Sequence, residues 1–167
     1  AMPSENAVAI EWFDAKFNQS ITELNDHFSK FRMSDTLHLI YKLIWDDFCS
    51  WYLEMIKPEF GKPIDSQTYI KTIEFFERLL KALHPFMPFI TEELWHELRD
   101  RKETDCIITA SWPLAGTSNP AILEMGQVAF EVITEIRNTR NAKGISPKQA
   151  LKLSICSDDL SFLKSFW

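Results

Sequence analysis

The stretch WDDFCSWYLEMIKP, residues 45–58, constrains the fold more than any other part of the chain. It contains two Trp, one Phe and one Tyr, and it lacks the alternation of polar and apolar residues that a half-buried strand needs. As part of a helix from about Thr36 to Lys57, its apolar residues cover nearly the whole circumference. Such a helix must pack against several neighbours, since a single partner buries only one side. The stretch therefore predicts the central helix of a bundle.

Apolar residues recur every three or four positions in four further segments, which predicts helices at about 10–31, 66–83, 88–98 and 121–141. Two short segments have features that are typical of strands. Residues 106–109 are rich in branched apolar residues, and residues 150–156 alternate between apolar and polar side chains. The predicted fold class is therefore mainly α. An antiparallel helical bundle over 5–103 is followed by a small α/β subdomain over 104–167, which is truncated at its C-terminal end.

Composition narrows the classes of protein that fit. Hydrophobic residues make up 46% of the 167 residues, which excludes a disordered chain. The net charge is −6, and the acidic excess lies before residue 120. No basic face is apparent, which counts against strong nucleic-acid binding by this segment alone. No apolar run reaches membrane-spanning length and no signal peptide is visible, so we predict a cytoplasmic protein. Ala1-Met2 resembles a cloning scar, and we expect a piece of a longer protein, cut at both ends.

The motifs of catalysis and metal binding are absent from the sequence. It contains no phosphate-binding glycine loop, no GxSxG and no HExxH. The three Cys are far apart, without CxxC spacing or a His at ligand distance, which predicts a reducing compartment and no zinc site. The four His are scattered, and adjacent acids on a helix diverge by about 100°. We therefore predict no catalytic residue, no metal site and no cofactor site in this chain.

Three quoted segments carry a resemblance to a known family. WDDFCSWYLEMIKP, LLKALHPFMPFITEELW and IRNTRNAKGISP together resemble the anticodon-binding domain of class I aminoacyl-tRNA synthetases, and the valyl branch is the most similar. The resemblance covers nearly all of residues 5–156. HPFMPFITEELW is shared by the valyl, isoleucyl and leucyl branches, whereas the other two segments favour the valyl one.

The resemblance implies a parent enzyme that ligates valine to tRNA(Val) with ATP. Its HIGH-like and KMSKS-like signatures, and its editing domain, are not in this sequence. The resemblance therefore implies a tRNA-binding fragment that needs no cofactor of its own and is inactive alone. Its partners would be the anticodon stem-loop of tRNA(Val) and the catalytic and coiled-coil parts of the same parent chain.

Seven residues are candidate tRNA contacts under this resemblance. They lie at the end of the central helix and in the last turns of the helix at 121–141, and they are Trp51, Tyr52, Leu53, Lys57, Arg137, Arg140 and Lys143. The cations at 137, 140 and 143 also fit a purely structural role at the negative end of the helix dipole. For the whole chain, the alternatives are a helical protein-interaction domain, the equivalent isoleucyl or leucyl domain, and a stand-alone enzyme.

Overall fold

The computed structural model of the protein describes residues 2–146 and 149–152. The chain forms two compact units, the first being Ala1–Ser118 and the second beginning at Asn119. The predicted domain boundary between residues 103 and 104 stays a prediction.

The described residues are mainly helical, as predicted. The first unit contains α1 (Ser4–Ser29), α2 (Met33–Lys42), a π-helical segment (Leu43–Tyr52), α3 (Leu53–Met55), α4 (Ser66–Leu83), α5 (Pro88–Glu97) and a 3-10 turn (Ile107–Thr109), and the second unit contains α6 (Pro120–Ala142). Pro88 and Pro120 begin their helices, where a missing N–H leaves no hydrogen bond unmade. Asp65 caps α4 by accepting the Thr68 N–H at 2.9 Å.

α2, the π-helical segment and α3 follow one another without a break and correspond to the predicted central helix. Its buried positions advance in steps of three or four residues, apart from one step of five between Leu43 and Phe48. A π-helical turn adds one residue to an α-helical turn, so it shifts the buried face by one position. Phe48 and Tyr52 therefore face the core, while Trp51 is only half-buried. The sequence pattern predicts one helix over these residues and does not show the π-helical segment within it.

Successive helices of the first unit run antiparallel, because residues later in one helix contact residues earlier in the next. Between α1 and the central helix, the contacts are Lys16–Asp47 and Phe13–Tyr52. Between the central helix and α4, they are Tyr52–Thr72 and Phe48–Phe76. Between α4 and the segment that begins with α5, they are Glu77–Arg99 and His84–Thr91. This up-and-down order agrees with the predicted antiparallel bundle.

Four rings form the centre of the first unit. Phe13 of α1 lies with its centroid 5.0 Å from Tyr52, 5.2 Å from Phe48 and 5.0 Å from Phe75 of α4. The Tyr52 hydroxyl shares a 2.8 Å hydrogen bond with the Thr72 hydroxyl. Burial raises the pKa of Tyr52 to about 12, although the bond to Thr72 acts in the opposite direction. The rings thus join three helices, and the one polar atom among them has a partner.

Asn18 holds the segment after the 3-10 turn against α1. It is 3% exposed, donates to the Thr117 carbonyl at 3.4 Å and accepts the Gly116 N–H at 3.0 Å. Arg78 of α4 donates to the same Asn18 side chain at 3.0 Å, and its guanidinium lies 3.9 Å from the centroid of Phe17. A Cβ on Gly116 would come within 3.2 Å of Asn18 Nδ2, so glycine allows this close approach.

The predicted strand at 106–109 was wrong. Ile107–Thr109 forms a 3-10 turn, in which the Thr109 N–H donates to the Cys106 carbonyl. The Ile107 N–H donates to the Glu92 carboxylate at 3.1 Å, and the described residues contain no strand that could pair with it. Residues 153–156 of the second predicted strand lie outside the described residues. An α/β subdomain is therefore not shown.

The turn between α1 and α2 contains Phe31 in a left-handed conformation, with φ 55°. The Arg32 N–H donates to the His27 carbonyl and the Phe31 N–H to the Phe28 carbonyl, which is the Schellman arrangement. Glycine normally occupies this position because a Cβ makes the conformation unfavourable. The Phe31 side chain is 85% exposed and gains little from packing.

We expect Tyr52→Ala to lower the free energy of unfolding by about 3–5 kcal/mol, because it empties a fully buried site that joins three helices. Trp51→Ala is the matched control and should cost clearly less, since Trp51 is half-buried. Denaturant melts of both variants measure the difference. A larger loss for Trp51 than for Tyr52 would mean that the helix has regular α geometry in solution.

We expect Phe31→Gly to raise the free energy of unfolding by roughly 1 kcal/mol, because glycine removes the left-handed penalty. Phe31→Ala keeps the Cβ and removes the ring, so its stability should stay near that of the wild type. Thermal melts of the two variants compare them. Equal gains for Gly and Ala would show that the exposed ring, and not the backbone, causes the effect.

Candidate nucleic-acid interface

The candidates at the end of the central helix fall into two environments. Tyr52 is 0% exposed and belongs to the core, so it has no ring surface available for stacking on a base. Trp51 and Leu53 are half-buried, and Lys57 is exposed. Lys57 Nζ lies 3.1 Å from the Glu54 carboxylate, a surface ion pair of the kind that contributes little to stability. Lys57 is thus held weakly enough to contact another anion.

The three cations at the end of α6 differ in their surroundings. Arg137 and Lys143 are exposed, whereas Arg140 is half-buried and donates to the Ser146 carbonyl at 2.9 Å and the Gln149 carbonyl at 3.0 Å. These bonds join the residues after α6 to its last turn. Arg140 therefore has a structural role, and Arg137 and Lys143 present their charges at the surface.

Gly144 ends α6, close to the predicted end of this helix at about residue 141. Its φ is 63°, its N–H donates to the Asn141 carbonyl, and the Ile145 N–H donates to the Arg140 carbonyl. This Schellman arrangement turns the chain back along the helix. The returning residues and α6 border a concavity of about 430 Å³, which is lined by Glu135, Ile136, Thr139, Arg140, Ile145, Leu151 and Lys152. The concavity has both signs of charge, so it is no simple phosphate site.

A row of exposed apolar side chains on α2 and the π-helical segment is the surface that sequence reasoning missed. Met33, Leu37, Tyr41 and Trp45 are spaced by four residues and are 42%, 44%, 57% and 59% exposed. We call these four residues the aromatic stripe. Because nearly the whole circumference of the predicted helix is apolar, its sequence does not show that this side is exposed. The four-residue spacing was visible, but only the tertiary packing shows which side faces outward.

Two side chains of the aromatic stripe are stacked on each other, and we call this pair the platform. Tyr41 and Trp45 are stacked, with centroids 6.3 Å apart and planes inclined by 14°. Parallel exposed rings are the surface on which unpaired bases stack, because every base has an apolar face. The exposed charged residues around the stripe are of both signs, namely Arg32, Asp35, Lys42 and Asp46. The platform therefore lies in a neighbourhood without an acidic excess.

A polar groove separates α1 from the central helix. It has a volume of about 350 Å³ and is lined by both signs of charge, including Lys16, Lys42, His27 and Asp47. Lys16 Nζ lies 3.9 Å from the Asp47 carboxylate, and His27 Nδ1 is buried without a hydrogen-bond partner among the described residues. Burial raises the pKa of Asp47, and the charges of Lys16 and Lys42 only partly oppose this.

The described residues contain no group of three or more His, Cys, Asp or Glu that could hold a metal ion. Within the same residues, no helix is long and apolar enough to cross a membrane.

Asp47 makes stability dependent on pH in a direction that can be tested. Its folded pKa is above the ordinary value of 3.8, so the folded state binds the proton more tightly than the unfolded state. Stability should therefore fall as pH rises from about 4 through the folded pKa of Asp47. We expect Asp47→Asn to remove this fall and to be more stable than the wild type at pH 7.

Thermal melts between pH 4 and 7 test this effect. Asp46→Asn removes the weakest of the charges that act on Asp47, so the fall in stability with pH should become only slightly smaller. A profile that is unchanged in Asp47→Asn would contradict the assignment.

The chain is similar to known proteins over nearly its whole length. The family model described as the anticodon-binding domain of tRNA ligase matches residues 11–155. A valine–tRNA ligase from Porphyromonas gingivalis is 47% identical over 96% of this chain, and one from Christiangramia forsetii is 44% identical over 94%. A valine–tRNA ligase from Prochlorococcus marinus is 32% identical over 93%. The chain spans 18% of the length of each of these relatives.

Proposed function

The chain belongs to the family of anticodon-binding domains of tRNA ligases, and from this premise we propose that it is the part of a valine–tRNA ligase that binds the anticodon stem-loop of tRNA(Val). The family match covers most of the chain, and relatives at 44% and 47% identity are named valine–tRNA ligases. These identities favour the valyl branch over the isoleucyl and leucyl alternatives. They also favour it over an unrelated protein-interaction domain.

The exposed platform of Tyr41 and Trp45 is the observation that supports this proposal best. Anticodon bases are unpaired, and proteins recognise unpaired RNA bases by stacking them on aromatic rings. The two rings are exposed and nearly parallel, so the outer face of the stacked pair can receive a base. The aromatic stripe is therefore the proposed base-contacting surface.

Exposed cations supply the proposed phosphate contacts. Lys57 lies on the same helical unit, in a surface ion pair with Glu54 that a phosphate can replace. Arg137 and Lys143 are exposed at the end of α6. Arg140 supports the residues after α6 through two backbone carbonyls, so we assign it a positioning role. Trp51 and Leu53 remain as half-buried candidates beside Lys57.

The net charge of −6 bears on how strongly the chain can bind. Phosphate neutralisation by Lys and Arg supplies most of the non-specific affinity for nucleic acid. With few exposed cations at the proposed surface, affinity for RNA should be low, and base stacking should provide a large share of it. The rest of the ligase would add further contacts.

The activity of the whole enzyme extends beyond this chain. Ligation of valine to tRNA(Val), driven by ATP as the family resemblance implies, would occur in the part of the ligase that the chain does not align with. The chain itself would need no cofactor, and we infer a cytoplasmic location, where tRNA is charged.

We expect Trp45→Ala to weaken binding of a tRNA(Val) anticodon stem-loop about 10-fold, since stacking on one base contributes roughly 1–3 kcal/mol. The slope of log affinity against log salt should not change, because no charge is lost. Titrations at several salt concentrations measure both quantities. Phe60→Ala removes a fully exposed ring outside the stripe and should bind like the wild type.

Lys57→Ala should behave in the opposite way. It removes one phosphate contact, so the salt slope should fall by about 0.7–0.9 unit with a similar affinity loss for all anticodon sequences. If Trp45→Ala and Phe60→Ala both bind like the wild type, the stripe is not the base-contacting surface.

A further inference from the structure

The outer side of α5 carries a second exposed apolar surface. Phe89 is 90% exposed, Ile90 is 46% exposed, and Ile108 of the 3-10 turn is 74% exposed. Phe89 and Ile108 border the same open concavity of about 600 Å³. Single exposed apolar residues are ordinary, but several that line one concavity indicate an interaction site. We call the concavity and these three residues the α5 face.

The charges of the α5 face are acidic. Glu92, Glu93 and Glu97 line the concavity together with two His, and no Lys or Arg lines it. The Glu92 carboxylate is used internally, because it accepts the Ile107 N–H at 3.1 Å and lies 3.3 Å from His96 Nε2. The side chains of Glu93 and Glu97 are exposed and form no ion pair or hydrogen bond within the described residues.

Glu93 and Glu97 lie four residues apart on one helix, a spacing at which like charges repel each other. Elsewhere in the same unit, the Glu77 carboxylate is paired with both Arg99 and Arg101. Two unpaired carboxylates beside exposed apolar side chains therefore complement a partner that brings a cation and an apolar group together. The same carboxylates repel phosphate, so the α5 face does not suit RNA.

We propose that the α5 face docks a basic, partly apolar polypeptide surface from another part of the same ligase. This inference rests on the proposed function, since the curated relatives are more than five times as long as this chain. An Arg or Lys of the partner would lie between Glu93 and Glu97, and its apolar neighbour would cover Phe89 and Ile108. Arg is well suited to such a site, because its guanidinium binds carboxylates in a bidentate manner.

The assignment leads to two surfaces with different partners. The aromatic stripe on the central helix takes RNA, and the α5 face takes polypeptide. The acidic side chains of the α5 face would repel tRNA, whereas the mixed charges around the aromatic stripe would not. tRNA would therefore bind at the aromatic stripe.

Hydrogen exchange tests the α5 face in the full-length ligase that carries this chain. Amides of α5 and of the 3-10 turn should exchange at least 10-fold more slowly in the ligase than in the isolated 167-residue chain. The double variant Glu93→Lys/Glu97→Lys should return exchange in the ligase to the rates of the isolated chain. Exchange that is equally fast in the wild-type ligase and the isolated chain would overturn the proposal.

Glu124→Lys/Glu131→Lys is the matched control, because it makes the same charge change on exposed positions of α6. It should leave exchange at α5 as in the wild type, and a loss of protection there would show a general charge effect and overturn the proposal. Thermal melts of the isolated double variants should match the wild type, because all four positions are exposed.

A photo-crosslinking residue at position 89 identifies the partner. A cross-link to a Lys- or Arg-containing peptide from outside residues 1–167 supports the proposal, whereas a cross-link to tRNA or to a second copy of this chain overturns it. Stem-loop binding by the same proteins distinguishes the two proposals. If α5 is protected but Trp45→Ala binds RNA like the wild type, only the stripe assignment fails.

Discussion

The five-residue step between Leu43 and Phe48 decides how the central helix is used. Because this helix is apolar nearly all round, its sequence allows more than one set of rings to face inward. The extra residue of the π-helical segment rotates Phe48 and Tyr52 into the core, where they meet Phe13 and Phe75. Tyr41 lies before the π-helical segment and Trp45 near its start, and both are at the surface. The core and the candidate interface are therefore two sides of one helix that is apolar on both.

Polar groups fix the remaining parts of the first unit around this core. Asn18 is bonded to Arg78 of α4 and to the backbone of the segment at Gly116 and Thr117. In the small core of α4 and α5, Trp95 donates to the Asp105 carbonyl at 3.1 Å and is covered by the Arg101 guanidinium at 3.8 Å. Buried polar groups with full sets of partners are costly to rearrange, so they specify one register between segments that are otherwise joined by apolar contacts.

Charge separates the two exposed surfaces, which differ little in their apolar content. Around the aromatic stripe, Arg32 and Lys42 balance the acids, whereas the α5 face has Glu93 and Glu97 without a cation. Electrostatic complementarity mainly governs which partner is accepted, and apolar area provides much of the binding energy. In a domain with a net charge of −6, the distribution of the few exposed cations is thus more informative than their number.

The sequence by itself determined the helices, the family and the end of α6 at Gly144, because these depend on periodicity, local conformational preference and extended motifs. It did not determine the buried face of the central helix, since a π-helical turn leaves no mark in an apolar pattern. It also predicted a strand at 106–109, which was wrong. The strand preference of β-branched residues does not show whether a partner strand is present. Among the described residues no partner strand exists, and the Glu92 carboxylate accepts the Ile107 N–H instead. Trp51, Tyr52 and Leu53 are adjacent in sequence, yet only Tyr52 is fully buried. That difference is one of helix rotation, and rotation is set by the neighbouring helices.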